Sequence, residues 1–189
     1  MQRKLRILVD MDGVVAKFNW KVAEKWDQLY PQFPSIPAET LPKFDTATCY
    51  ADVYGDWSHQ AVKDIYQGKD FFNELDIMPG AVEALHSMLK AGHDVFFCTA
   101  PVGKHSPCVS DKFGWVEKHF GKEWVRRIVL TSDKTFISGD VLIDDKPGIK
   151  GCQNPPLWKQ VYFTQPYNKD CKGPRINEWS EWESVLSSI

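Results

Sequence analysis

The chain has 189 residues, 43% hydrophobic and 13% aromatic, which suffices for one full core and a small appended subdomain but excludes two large independent domains. Its 23 basic and 25 acidic residues give a net charge of -2, which argues against a nucleic-acid polymer or a membrane as partner. No stretch approaches the roughly 20 apolar residues that a membrane-spanning helix needs.

The chain begins with a short strand pattern that leads into an acidic cluster. Residues 5–9 are an apolar run, and Asp10 and Asp12 follow it directly. We therefore predict a buried strand that carries carboxylates at its C-terminal end. A helix is predicted next, because apolar residues recur at helical spacing until Pro31 stops them, at Val15, Phe18, Val22, Trp26 and Leu29.

The following segment looks like an insertion into the core. Four prolines between residues 31 and 42 indicate a loop, and residues 57–67 have a helical pattern with Ala61, Val62 and Ile65 facing inward. We predict a small helical cap, inserted after the first strand, that spans residues 17–75. The core then comprises residues 1–16 and 76–189.

The rest of the chain alternates helices and strands. Pro79 and Gly80 introduce a helix, with Val82, Leu85, Met88 and Leu89 on one face, that Gly92 ends. Further elements are predicted in the order strand 94–99, helix including 115–120, strand 128–131, strand 141–145, strand 161–164 and, after a loop at 168–174, a last helix around 179–186. This alternation predicts an α/β fold, a Rossmann-like parallel sheet covered by helices on both sides.

Polar side chains follow the ends of four predicted strands, at Asp10 and Asp12, Thr99, Thr131 with Lys134, and Asp144 with Asp145. In an open parallel sheet these ends share one edge, where ligands bind. We therefore expect the side chains to converge on one small volume.

The residue types at this edge suit phosphoryl transfer. Asp10 is predicted to be the nucleophile, because a carboxylate needs no deprotonation at neutral pH. Asp12 is predicted to protonate the leaving oxygen and later to deprotonate water. We assign Mg²⁺ to Asp10, the backbone carbonyl of Asp12, and Asp145, with Asp144 nearby, because clustered carboxylates need a cation. Thr99 and Lys134 are predicted to contact the phosphate.

The same motifs resemble those of the haloacid dehalogenase-like phosphatases, and one branch more closely. The chain is similar to the 5'(3')-deoxyribonucleotidases in the stretches ILVDMDGVVAKF (7–18), FFNELDIMPGAVEAL (71–85), DVFFCTAP (94–101), WVEKHFG (115–121), IVLTSDKT (128–135) and VLIDDKP (141–147). This resemblance implies a Rossmann-like core with a helical cap, a Mg²⁺ cofactor, a homodimer, and dephosphorylation of deoxyribonucleoside 5'- and 3'-monophosphates.

The resemblance also implies a base pocket in the cap, formed by Phe18, Phe44 and Tyr66, whose rings would stack on a nucleobase. Two positions depart from the family pattern. Ala100 stands where the family usually has a serine, and Ser132 where it usually has an arginine. We expect catalysis to survive both changes, whereas the preference for base and phosphate position is left open.

Two alternatives are less favoured. A phosphatase for another small phosphate ester, such as a sugar phosphate, would share the core motifs, and only the cap aromatics favour a base. A phosphoacceptor signalling domain would have its acidic pair before the acceptor, whereas here Asp144 and Asp145 come last. Five cysteines without metal spacing and the position of Asp10 close to the start, which leaves little room for a presequence, lead us to expect a cytoplasmic protein.

Overall fold

The computed structural model describes residues 3–102 and 107–189. Its centre is one parallel sheet, with the strands in the order β3-β2-β1-β4-β5-β6. The strands are β1 (Arg6–Val9), β2 (Asp94–Thr99), β3 (Ile128–Leu130), β4 (Val141–Asp144), β5 (Lys159–Phe163) and β6 (Arg175–Ile176). The predicted α/β fold class is therefore confirmed.

The position of β1 in the sheet determines where the site lies. This strand pairs with β2 on one side and β4 on the other, so that Val9 is level with Phe97 and Ile143. Both faces of β1 are covered from Ile7 to Val9, which explains the continuous apolar sequence of these three residues. The residues that follow β1, β2 and β4 are consequently brought side by side at one edge.

Helices cover the sheet and extend beyond this edge. Between β1 and β2 the chain forms α1 (Phe18–Leu29), α2 (Thr46–Tyr54), α3 (Asp56–Gln67) and α4 (Ala81–Lys90). The helix α5 (Cys108–Phe120) lies between β2 and β3, and α6 (Trp182–Ser187) follows β6. The first three helices lie within the segment predicted as a cap, and their side chains pack together around Trp26, whose ring centroid lies 4.4 Å from that of Tyr50 and 5.7 Å from that of Trp57. The exact limits of the cap remain a prediction.

The helix α2 was not predicted, since its nine residues carry only a weak apolar periodicity. Its start is instead specified locally, because the Asp45 side chain accepts a hydrogen bond from the Ala47 backbone N–H at 3.2 Å. Its end is marked by Gly55, which adopts a φ of 88° that favours glycine. These two capping residues were the available sequence signals.

Smaller differences concern the ends of the predicted elements. Leu29 was expected to face the core but is 60% exposed, because α1 ends there and the chain turns away. The short strand β6 falls just after the predicted loop at 168–174, and its two residues are too few to form a pattern. Among the described residues, no helix combines the length and apolar character required to cross a bilayer.

Candidate active site

The loop after β1 places two carboxylates at the sheet edge. Asp10 continues from β1, and its backbone N–H donates to the Ile143 carbonyl at 2.9 Å, so it is fixed to β4. Asp12 follows in a tight turn, in which Gly13 has a φ of 77°. A side chain at Gly13 would also collide with the Asp145 carboxylate. Glycine therefore permits both the backbone conformation and the close approach of the two loops.

Lys134 joins the nucleophile candidate to the acidic pair. Its Nζ lies 2.8 Å from Asp10 Oδ1 and 2.6 Å from Asp144 Oδ2. Although burial alone would favour the neutral amine, Asp10 and Asp144 raise the pKa of Lys134 above its usual value. The Lys134 side chain is therefore charged at neutral pH, and its ammonium group is held next to the Asp10 carboxylate.

Asp144 and Asp145 have different surroundings although they are adjacent. Asp144 uses both oxygens within the protein, because Oδ2 accepts from Lys134 and Oδ1 accepts from the Lys146 backbone N–H at 2.8 Å. Asp145 Oδ2 accepts from the Tyr167 hydroxyl, whereas Oδ1 is buried and has no hydrogen-bond partner among the described residues. Burial raises the pKa of Asp144 to about 6, and burial with the neighbouring Asp144 and Asp10 carboxylates raises the pKa of Asp145.

These carboxylates fit a divalent cation. Oxygen atoms of Asp10, Asp144 and Asp145 lie within 4.8 Å of one another in a buried setting. Such a cluster is unfavourable without a compensating charge, and hard oxygen ligands suit Mg²⁺. The unpartnered Asp145 Oδ1 points to Asp145, rather than the fully engaged Asp144, as the residue of the pair with a vacant ligand atom.

A second lysine, which the sequence interpretation did not single out, lies behind Asp12. Lys112 of α5 is fully buried, and its Nζ donates to Asp12 Oδ2 at 2.7 Å and to Thr99 Oγ1 at 2.7 Å. Burial raises the pKa of Asp12, while the Lys112 ammonium opposes that change. The sequence signal was the position of Lys112 within the buried stripe of α5, four residues after Cys108 and four before Val116.

The segment predicted as a cap supplies aromatic rings to the same cavity as these polar groups. Phe18 and Tyr66 have ring centroids 5.5 Å apart, and both are partly exposed. Phe44 is 40% exposed and meets Tyr167 edge-to-face at 5.7 Å, with the Lys146 Nζ 5.4 Å from its ring centroid. Phe18 also packs against Phe71 and Phe72, whereas the Phe44 ring contacts Tyr167 and Lys146.

All eight residues singled out from the sequence line one cavity of about 300 Å³. They are Asp10, Asp12, Phe18, Phe44, Tyr66, Thr99, Lys134 and Asp145. Ala100 and Ser132, the two departures from the family pattern, line it as well. Tyr167 is a further lining residue that was not predicted, since it lies in a three-residue 3-10 helix after β5, Pro166–Asn168, which is too short to show a periodic pattern.

Comparison with known proteins identifies relatives over the whole chain. The family described as 5' nucleotidase, deoxy (pyrimidine), cytosolic type C protein matches residues 3–188. The mouse protein "5'(3')-deoxyribonucleotidase, mitochondrial" is 40% identical over 192 residues, covering 98% of this chain and 87% of that protein. The human "5'(3')-deoxyribonucleotidase, cytosolic type" is 37% identical over 194 residues, covering 100% of this chain and 96% of that protein.

Solved structures agree on the fold. A conserved haloacid dehalogenase-like protein from Agrobacterium tumefaciens superposes with a TM-score of 0.61 at 12% identity, covering 98% of this chain and 99% of that one. A haloacid dehalogenase-like hydrolase from Xanthomonas campestris superposes with a TM-score of 0.55 at 13% identity, covering 100% and 96%. At these identities the similarity concerns the fold alone.

Proposed function

The chain belongs to the 5' nucleotidase, deoxy (pyrimidine), cytosolic type C family, hydrolases of the haloacid dehalogenase fold, and we propose that it dephosphorylates deoxyribonucleoside 5'- and 3'-monophosphates through a phosphoaspartate on Asp10. The observation that carries this proposal is the shared cavity. It is lined both by the residues proposed for phosphoryl transfer, Asp10, Asp12, Thr99, Lys134 and Asp145, and by the aromatic residues Phe18, Phe44 and Tyr66.

In the first proposed step, an Asp10 oxygen attacks phosphorus and the bond between phosphorus and the sugar oxygen breaks. Asp12 donates its proton to that departing oxygen, so the nucleoside leaves as an alcohol. The raised pKa of Asp12 supports this role, because it favours the protonated form that a general acid requires. Thr99 and Lys134 hold the phosphate oxygens, and Lys134 is already positioned against Asp10.

In the second proposed step, Asp12 takes a proton from water, which attacks the phosphoryl group on Asp10. The bond between phosphorus and the Asp10 oxygen then breaks, inorganic phosphate forms, and both aspartates return to their starting states. Asp12 lies two residues after Asp10 and lines the same cavity. The Asp12 carboxyl group can therefore act next to Asp10 in both steps, first as the acid and then as the base.

Mg²⁺ is the proposed cofactor, held by Asp10, the Asp12 backbone carbonyl and Asp145. When bound, it would neutralise the phosphate charge and the mutual repulsion of the carboxylates. Asp144 would act through Lys134, since both of its oxygens are already engaged.

The substrate class rests on the cap. Phe18, Phe44 and Tyr66 offer flat apolar surfaces in the same cavity as Asp10, and a nucleobase stacks on such rings. A sugar phosphatase, the alternative, would bind its substrate mainly through hydrogen-bonding groups, such as Asn19 and Thr46 in the same cavity, rather than through aromatic rings. The test is a phosphate-release panel with Mg²⁺ across deoxynucleoside and ribonucleoside monophosphates and several sugar phosphates. We expect deoxynucleotides to be the best substrates, and a clear preference for a sugar phosphate would contradict the proposal.

Replacing Phe44 with alanine tests base stacking with little disturbance of the core. We expect binding of a deoxynucleotide to weaken by about 1–3 kcal/mol, because one stacking surface is lost. A small phosphate ester without a base should be affected much less. Steady-state KM and kcat on both substrates provide the measurement. The same change in Phe18 or Tyr66 should have the same selective effect.

Trp57→Ala is the matched control, since Trp57 is a cap aromatic of similar exposure, 44%, that does not line the cavity among the described residues. This variant should be less stable than wild type, but the ratio of kcat/KM for the deoxynucleotide to kcat/KM for the small phosphate ester should not change. Equal losses for both substrates in the Phe44, Phe18 and Tyr66 variants would assign these rings to packing rather than recognition.

We further propose that residues 17–75 act as a cap, that the protein is cytoplasmic and that it forms a homodimer. The cytoplasmic location is supported by the human cytosolic-type relative, which spans all of this chain, and cell fractionation tests it. Sedimentation equilibrium tests the oligomeric state. A species with the mass of one chain at all concentrations would contradict the dimer.

A further inference from the structure

Lys112 is a charged residue that is fully enclosed by the protein beside the site. It is 0% exposed, and its ammonium lies 5.0 Å from the ring centroid of Phe72, which closes it from solvent on that side. Lys112 is not among the described residues that line the cavity, whereas Asp12 and Thr99 are. Lys112 therefore acts on a substrate from behind the cavity lining, through the lining residues that it contacts, Asp12, Thr99 and Ala100.

All three N–H donors of the Lys112 ammonium have an acceptor. They reach Asp12 Oδ2 at 2.7 Å, Thr99 Oγ1 at 2.7 Å and the Ala100 carbonyl at 3.0 Å. An ammonium has three donors, so this set is complete. Because the three acceptors come from the ends of β1 and β2, the lysine fixes the two strand ends relative to each other.

The contact with Lys112 gives the two carboxylate oxygens of Asp12 different surroundings. Oδ2 is held by Lys112, while Oδ1 is buried and has no hydrogen-bond partner among the described residues. Thr99 is likewise oriented, because its oxygen accepts from Lys112 and its own hydroxyl hydrogen is left for another acceptor. Lys112 thus holds Asp12 through Oδ2 and leaves Oδ1 without a partner in the described part of the chain, and it holds Thr99 through its oxygen and leaves the hydroxyl hydrogen available.

A purely structural explanation accounts poorly for this lysine. Buried ion pairs often contribute little to stability compared with apolar side chains of similar volume, because both charges lose their hydration. An apolar residue on the buried stripe of α5 would fill the same space next to Phe72. The charge and the three donors are needed only if Asp12 and Thr99 require fixed orientations.

We propose that Lys112 is a positioning residue for the acid–base aspartate: it holds Asp12 by Oδ2, so that Oδ1 is the oxygen that gives and takes the proton, and it directs the Thr99 hydroxyl toward the phosphate. This inference rests on the proposed function, since it assigns a task to Asp12 in the two-step reaction. Lys134 remains the cation that contacts Asp10, and the two buried lysines have different roles.

The test is a double-mutant cycle on Asp12 and Lys112. Lys112→Met keeps an unbranched side chain as far as the ε position and removes the charge and the donors. We expect it to lower kcat for a deoxynucleotide about 10²-fold, with a smaller change in KM, because misplacement of a reacting group by about 1 Å has that effect. With an aryl phosphate, a burst of phenolate and accumulation of phosphorylated Asp10 should appear, since dephosphorylation needs the base.

The double variant Asp12→Asn with Lys112→Met should be slower than Asp12→Asn alone by far less than the about 10²-fold that Lys112→Met causes by itself, because the aspartate that Lys112 positions is already lost and only its contact with Thr99 remains to be lost. Lys118→Met is the matched control, an exposed lysine of the same helix, and should leave the kinetics unchanged. Lys112→Gln, which retains two donors, should fall between wild type and Lys112→Met, and it serves if the methionine variant does not fold.

Independent effects that multiply in the double variant, or an equal loss for all substrates without a burst, would overturn the role of Lys112. A wild-type protein that turns over neither deoxynucleotides nor aryl phosphates would instead overturn the proposed function and this inference with it. The two failures are therefore distinguished by the wild-type arm of the same experiment.

Discussion

Asp10→Asn is expected to abolish turnover of every phosphate ester, whatever its leaving group. The asparagine amide cannot form the acyl phosphate, and removal of a covalent nucleophile typically lowers kcat on the order of 10⁶-fold. The variant should still fold, because Asp10 continues from a strand whose apolar residues provide the packing and because Lys134 keeps its contact with Asp144. Phosphate release from deoxynucleotides and from an aryl phosphate provides the measurement.

Asp64→Asn, on the exposed side of α3, is the control for the same chemical change and should retain full activity. Circular dichroism and the unfolding temperature establish that the Asp10 variant is folded. Residual turnover above about one thousandth of the wild-type rate, in protein freed of wild-type traces, would contradict a nucleophilic role for Asp10, since such a rate is far above what positioning alone leaves.

Removal of the divalent cation is expected to have an effect of similar size. Excess chelator should abolish turnover, and Mg²⁺ should restore it, because Asp10, Asp144 and Asp145 otherwise repel one another and the phosphate. The metal should also stabilise the fold. At about 100 times its Kd, a ligand of the native state adds about 2.7 kcal/mol, which for a chain of this size raises the unfolding temperature by roughly 5–10 °C.

The Asp145→Asn variant links both effects to one residue. It should lose most of its activity and also its thermal response to Mg²⁺, since it replaces the carboxylate whose Oδ1 lacks a hydrogen-bond partner among the described residues. Asp170→Asn, an exposed carboxylate, should respond like wild type. Full turnover in chelator with metal content shown to be absent, or an unchanged thermal response in Asp145→Asn, would contradict this metal assignment.

The arrangement of the core could be predicted because its signals are local and repeated. Apolar runs at β1, β2 and β4 each end in a polar group, and the geometry of parallel strands brings such ends together. The eight residues singled out from the sequence consequently line one cavity. Their chemical roles remain predictions, which the experiments above address.

The parts that could not be predicted depend on contacts between distant segments. Lys112 lies 100 residues after Asp12, and nothing in the sequence shows which buried lysine faces which carboxylate. Tyr167 reaches Asp145 from a single 3-10 helical turn, Pro166–Asn168, and its hydroxyl contact depends on how that turn packs against the segment after β4. Helix α2 was missed because capping side chains define it more strongly than any apolar pattern.

The most direct test of the central claim is a rapid-mixing experiment with an aryl phosphate on Asp12→Asn, followed by mass spectrometry of the protein. Phenolate is a good leaving group, so Asp10 should still be phosphorylated, whereas dephosphorylation should slow by about 10²–10⁴-fold without the base. The account predicts a phenolate burst close to one equivalent of enzyme and a phosphoryl group mapped to Asp10. A burst in Asp10→Asn but none in Asp12→Asn would contradict it, because the nucleophile and the acid would then be reversed.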